Sequence, residues 1–255
     1  MKTRIFLVVA LTLQLPVFGA EKKVTPPAPQ DAKQVVLNDS WYTMQAGSTP
    51  FGYFHEVIEQ RGENFSYRYA MRKIENTSLY EENIGAVARL DLTPIAFNLN
   101  KVGTGATETT DATYAPGPNG SGNFSIKISG AKVASFKRGC PKNTILDVFF
   151  PLHLSKIWDK LKPGYKGWLS TFAEDPEHAD FRARTVHYEV KGKDAANSCL
   201  NVHVEMDNVR GDWCMTPEGK LVDLKVGSYH VRKVKDEAEA RAFVAGVMPK
   251  AKEGK

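Results

Sequence analysis

Twenty residues into this chain, where a lipid-anchored bacterial envelope protein would carry its cysteine, there is none. The segment before that point places Lys2 and Arg4 ahead of an apolar run from Ile5 to Leu13, then closes on Val17-Phe18-Gly19-Ala20. That is the layout of a secretory signal peptide over residues 1–20, cut near Gly19-Ala20. The missing junction cysteine closes the usual route to a lipid anchor. The run is too short to cross a bilayer as a helix, which takes about 20 residues. No later segment approaches that length, so no transmembrane anchor is expected. The mature chain is expected to be periplasmic or secreted.

Concentrated charge is scarce as well. The formal charge of +5 falls to +3 once Lys2 and Arg4 leave with the signal. Basic residues are scattered among acidic ones, whereas a nucleic-acid footprint needs a clustered basic face. Nucleic acid is therefore excluded as a partner. Apolar content of 42% and charged content of 25% are globular values, and the length suits one large β domain or two small ones.

The motifs of familiar chemistry are missing too. No H-E-x-x-H or Cys-His cluster accompanies the six histidines, so no metal site is expected. His187 and His203 stand singly in strand-like runs. No G-x-S-x-G elbow or S-x-x-K set appears. Gly103 and Gly105 lack the third glycine and helix of a phosphate cradle. Glu174, Asp175, Glu177 and Asp180 crowd around Pro176 as a solvated turn, without the glycine of a calcium loop. Sequons include those at Asn38, Asn64, Asn76 and Asn123; they matter in a eukaryotic secretory pathway and carry no weight in the bacterial periplasm this layout fits. The chain reads as a protein without enzymatic activity and without a cofactor.

Cysteine is limited to Cys140, Cys199 and Cys214. A two-residue turn at Asp207-Asn208 pairs Met206 with Val209 and leaves Cys214 a diagonal neighbour of Cys199; a bulge or longer loop brings the two into direct register. A disulfide needs Cα atoms about 4.4–6.8 Å apart, so register decides. The favoured reading is a Cys199–Cys214 disulfide, since exported thiols oxidise. Three buried thiols is the alternative. Cys140 then behaves as a small apolar residue.

What the chain does have is a period of two. Residues 21–38 are a Pro-rich linker around Val24-Thr-Pro-Pro-Ala-Pro-Gln30. Order is expected from Trp41. Phe51, Tyr53, His55 and Val57 alternate with Gly52, Phe54, Glu56 and Ile58; after the turn Arg61-Gly-Glu-Asn64, Phe65, Tyr67, Tyr69 and Met71 alternate with polar residues. This is a strong hairpin signal. Pro94 interrupts the run Val87 to Asn100, which is an edge, a bent strand or two strands. Further strands are expected at 104–114, 124–128, 132–138, 166–174, 181–191, 199–206, 209–215, 221–226 and 229–235. Only two helices are expected. One is Leu152 to Leu161, stopped by Lys162-Pro163-Gly164. The other is Asp236 to Val247, with an Asp236/Glu239 capping arrangement and a stripe of Ala240, Phe243, Val244 and Val247. Residues 248–255 form a Lys-rich tail.

Aromatics are the one excess. Phe149, Phe150, Trp158, Tyr165 and Trp168 crowd between Pro151 and Pro163 or beside them. They plug the end of a sheet, or they line an apolar pocket under its curve.

Trp41-Tyr42-Thr-Met, Phe51-Gly52-Tyr53-Phe54-His55 and Phe65-Ser-Tyr67-Arg-Tyr69, with Leu161-Lys-Pro163-Gly164 and Pro217-Glu-Gly219-Lys-Leu221-Val222 later, resemble segments of bacterial envelope proteins of unknown function. Those are similar to the lipoprotein-carrier (LolA/LolB-like) architecture. The resemblance implies a strongly curved antiparallel sheet wrapped around short helices; no carrier residue carries over. The expected fold is mainly β: one single curved-sheet β domain over residues 39–247, a half-barrel of about ten strands, its two short helices on the concave face or capping an edge. The expected function is a non-enzymatic exported protein that holds a lipid, acyl chain or hydrophobic peptide in the hollow, with Phe149, Phe150, Trp158, Tyr165 and Trp168 as ligand contacts. The alternative is an envelope scaffold or partner subunit whose filled core leaves it to bind another protein.

Overall fold

The computed structural model describes residues 34–75, 77–103, 106–173, 181–207 and 209–248. The signal segment, the linker up to residue 33, the acidic patch 174–180, Asn76, Thr104, Gly105, Asn208 and the tail from 249 lie outside the described residues.

The chain forms β1 (Gln34–Ala46), β2 (Thr49–Arg61), β3 (Asn64–Glu75), β4 (Ser78–Arg89), β5 (Pro94–Gly103), β6 (Ala106–Pro116), β7 (Gly122–Gly130), β8 (Ala134–Cys140) and β9 (Ile145–Leu146). The helix α1 (Phe150–Lys156) follows, then β10 (Lys166–Phe172), β11 (Ala183–Asp194), β12 (Cys199–Met206), β13 (Val209–Met215), β14 (Leu221–Val226), β15 (Tyr229–Val234) and the helix α2 (Glu237–Val244). All strands join one open sheet in the order β8-β7-β6-β5-β4-β3-β2-β1-β15-β14-β13-β12-β11-β10-β9. Neighbours are antiparallel except β9, which lies parallel to β10.

Among the described residues the sheet has fifteen strands, not about ten. Period-two alternation marks a strand but not where a long run divides. Pro94 starts β5 instead of bending one strand, which fits a residue that cannot donate to the ladder. β1 begins at Gln34, inside the stretch read as linker, because Val35 to Asn38 pairs with β2 through a bulge between Val36 and Asn38. That bulge turns Asn38 and Ser40 to the buried face.

The sheet curls until its ends meet. β7 and β10 stand twelve strand steps apart in the order, roughly 55–60 Å if the sheet were flat. Yet the rings of Phe124 on β7 and Phe172 on β10 are 4.3 Å apart, and Phe97 on β5 lies 6.0 Å from Phe172. Within the sheet, Tyr42 of β1 reaches past β15, its hydroxyl donating to the Leu221 carbonyl of β14 at 3.1 Å. One apolar core fills the space between the two wings.

The two helices take opposite faces. α1 lies inside the curl. α2 packs on the outer face, where Ala240 and Val244 cover Tyr53 beside Trp41 and Val234. It therefore occupies neither the concave face nor an edge. The reason is the outward alternation of β1 and β2, which leaves Trp41 and Tyr53 as an apolar patch needing cover. Only two residues of the expected stripe are buried; Phe243 and Val247 are exposed. The N-cap is as read: Asp236 accepts from the Glu239 N–H at 3.0 Å, while the Glu239 carboxylate accepts from the Lys235 N–H at 2.9 Å.

The Cys199–Cys214 disulfide is present, with Cα atoms 5.4 Å apart. Met206 pairs with Val209 and Cys214 with Asn201, so the diagonal arrangement suffices without a bulge between β12 and β13. The Cys199→Ser/Cys214→Ser variant is expected to lose on the order of 2–3 kcal/mol in urea unfolding, as opening a loop of this length does. Unchanged unfolding midpoints would contradict that.

Candidate functional site

The aromatic cluster divides between two faces. A 3-10 turn (Asp147–Phe149) runs into α1, whose Pro151 sits in the first turn where a missing N–H costs nothing. This brings Phe149 and Phe150 into the curl, both fully buried. Phe149 meets Tyr67 of β3 edge-on at 6.1 Å; Phe150 meets Tyr188 of β11 at 5.7 Å and Trp213 of β13 at 5.4 Å. The turn is pinned to β11 by an ion pair between Asp147 and Arg184. Trp158 and Tyr165 are half-buried at the margin of the same core.

Trp168 is not among them. It lies opposite His187 on the outer face of β10 and is 71% exposed. Gly167 and Leu169 on either side face inward. Gly167 pairs directly with Tyr188, and a Cβ there would stand 2.3 Å from the Tyr188 ring. Glycine is therefore what lets that ring lie across the strand toward Tyr165, 6.3 Å away. Strand alternation alone separates Trp168 from the other four residues.

The inner face also carries a polar cluster that the aromatic reading passed over. Glu56 of β2 sits in the inward stripe Phe54-Glu56-Ile58 and is buried. Asn38 donates its side-chain amide to one carboxyl oxygen, and the Tyr67 hydroxyl donates to the other at 3.4 Å. The Ser40 hydroxyl donates to the side-chain carbonyl oxygen of Asn38 at 2.7 Å. Burial pushes the Glu56 carboxyl up to about 7, against the lowering influence of the Asn38 and Tyr67 hydrogen bonds and of Lys233. Tyr42 is raised by burial and by Glu56. Lys233, opposite Tyr42 in the register, is lowered by burial and by Lys220, with Glu56 pulling the other way. The signal for this cluster was legible: a carboxylate in an apolar inward stripe. Chemically it holds a proton near neutrality, enclosed by Asn38, Ser40, Tyr42 and Tyr67, which are themselves buried.

The remaining candidates stay apart. Cys140 is buried, its thiol pushed up to about 11 by burial, beside the Phe124 backbone: a protonated, packed side chain. His203 bonds Asp212 at 2.7 Å, His230 bonds Asp223 at 2.5 Å, and His55 bonds Asp39 at 2.7 Å while stacking on Trp41. These are partly exposed cross-strand pairs on the outer face. The His153 imidazole on α1 is pushed down by burial and by Lys156. A cleft of about 610 Å³ opens at the strand ends, lined by Glu63, Asn64, Arg89, Leu90, Asp91 and Ile95. Lys156 donates to the Leu90 carbonyl beside it. That lining is largely polar, not the apolar mouth an acyl chain fits.

Compared with known proteins, the chain matches no family model, no curated protein and no solved structure.

Proposed function

We propose that this protein is an exported, non-enzymatic scaffold or partner subunit of the cell envelope, with a filled core, that works by binding another protein. The observation that carries this reading is the occupied interior. Phe149, Phe150, Leu154 and Phe172 are all at or below 1% exposure in the space under the curl. Export is supported by Lys2, Arg4 and the apolar run after them, and the Cys199–Cys214 disulfide suits an oxidising compartment.

A lipid, acyl chain or hydrophobic peptide in the same space, as the likeness to lipoprotein carriers implies, requires Phe149 and Phe150 to leave it. Each aromatic buries about 150–250 Å², so exposing both costs on the order of 8–12 kcal/mol at about 25 cal/mol per Å². Such a ligand must return that much by its own burial.

Native mass spectrometry of the mature protein, paired with a fluorescent acyl-chain probe, tests this. The expected spectrum is the bare chain less the two hydrogens of one disulfide, with no rise in probe fluorescence. A displaceable lipid adduct or a saturable probe signal overturns the scaffold reading.

A further inference from the structure

β1 is not held evenly along its length. From Trp41 to Ala46 it lies between two partners, β2 and β15. From Gln34 to Ser40, among the described residues, it pairs with β2 alone, and a bulge interrupts that pairing between Val36 and Asn38. Gln34, Val35 and Val36 are exposed, so apolar burial does little to hold this stretch.

Its two buried side chains are Asn38 and Ser40. Both fasten to one group on the inner face: Asn38 donates to the Glu56 carboxyl, and Ser40 donates to Asn38. On the outer face Gln34 donates to Glu59 and Asp39 bonds His55, each at 2.7 Å. The inward groups around Glu56 are Tyr42 of β1, Tyr67 and Tyr69 of β3, and Lys233 of β15, itself under the influence of Lys220. His55, Glu59, Arg61 and Arg68 point outward by strand alternation.

A carboxyl enclosed in this way favours its proton, since burial opposes the charge more than the Asn38 and Tyr67 hydrogen bonds support it. By linkage, any opening that returns it to water is favoured as it ionises. The segment that covers it with the least holding it is Gln34 to Ser40.

We propose that Gln34 to Ser40 is a strap latched by the proton on Glu56: protonated Glu56 keeps it docked through Asn38 and Ser40, and ionised Glu56 releases it from β2. Release uncovers the β2 edge from Glu56 to Arg61 and admits water and the Lys233 ammonium to the carboxylate. Trp41 onward stays clamped between β2 and β15. Docking is tightest below about pH 4.5, weakens as pH rises towards about 7, and levels off beyond it.

Hydrogen exchange read by mass spectrometry on the mature protein tests the latch, with parent and Glu56→Gln compared at the same pH. Labelling times are kept short enough for residues 64–75 to stay protected. At pH 8 residues 34–40 of the parent should exchange on the order of a hundredfold faster than those of Glu56→Gln, the factor that the gap from 4.5 to about 7 allows. Near pH 4 the two proteins should exchange alike. Asn38→Ala removes the fastener, so its residues 34–40 should exchange fast at both pH values while 64–75 stays protected. Circular dichroism checks the fold of both variants. Equal exchange at 34–40 in parent and Glu56→Gln at pH 8 overturns the proposal. So does parental protection of 34–40 in Asn38→Ala near pH 4. Protection lost at 34–40 only together with 64–75, with the same steep dependence on added urea, reports global unfolding and overturns it as well.

Discussion

Replacing Phe150 by alanine is expected to destabilise the protein by about 3–5 kcal/mol, the cost of removing a fully buried aromatic ring and leaving a cavity that neighbours only partly fill. The ring lies between Tyr188 and Trp213, on strands that belong to the wing opposite Tyr67 and Phe149. No single strand can shift to close the gap without breaking its own ladder. For a domain of this size the thermal midpoint should fall by on the order of 10 °C. Trp168→Ala is the paired control: the side chain is larger but 71% exposed, and its loss should stay within about 0.5 kcal/mol. Urea unfolding of both variants reads the result. A loss below about 1 kcal/mol for Phe150→Ala would mean that the interior repacks readily, and would return weight to a ligand in that space.

The second large effect concerns pH. The Glu56 carboxyl is raised by burial to about 7 from an ordinary 4.5, so the folded state holds a proton that the unfolded chain has already released. Below about pH 4.5 both states are protonated and Glu56 adds no pH dependence. Between about 4.5 and 7 stability is lost as pH rises, because the unfolded state binds fewer protons than the folded one. Beyond pH 7 the full penalty, about 3 kcal/mol from a gap of this width, is in place. Glu56→Gln removes the ionisation, and its amide keeps an acceptor for Asn38 and offers a donor to the Tyr67 oxygen. The variant should match the parent near pH 4 and exceed it by up to about 3 kcal/mol at pH 8, in urea melts across that range. Parallel stability curves for the two proteins would show that Glu56 ionises without penalty.

Much of the architecture was open to reading before any coordinates. The run Val209 to Met215 became β13 and Leu221 to Val226 became β14 with the same bounds, because short polar turns on either side left no room for ambiguity. The turn at Arg61-Gly62-Glu63-Asn64 joined two strands as its residues require, with Gly62 at φ 55°. The diagonal placing of Cys199 and Cys214 followed from the same arithmetic. The aromatic site was legible only in part. Phe149 and Phe150 belong together with Trp158 and Tyr165; Trp168 departs because it sits one residue from Gly167 on a strand, where one residue means the other face. Glu56 was visible as a carboxylate in an inward stripe, but its proton affinity depends on Asn38, Tyr67 and Lys233 arriving from three other strands.

The order of small and large, apolar and polar residues by itself determined a mainly β chain, its hairpin turns, its helix cap and the neighbourhood of its disulfide. These are local properties, set by backbone sterics and a period of two within a few residues. Only the tertiary structure decided that fifteen strands curl until β7 meets β10, that α1 fills the space so enclosed, and that α2 takes the outer face. Those outcomes rest on contacts between segments far apart in the chain. Which surfaces meet there depends on the summed twist of the sheet, a quantity that no short stretch of residues encodes.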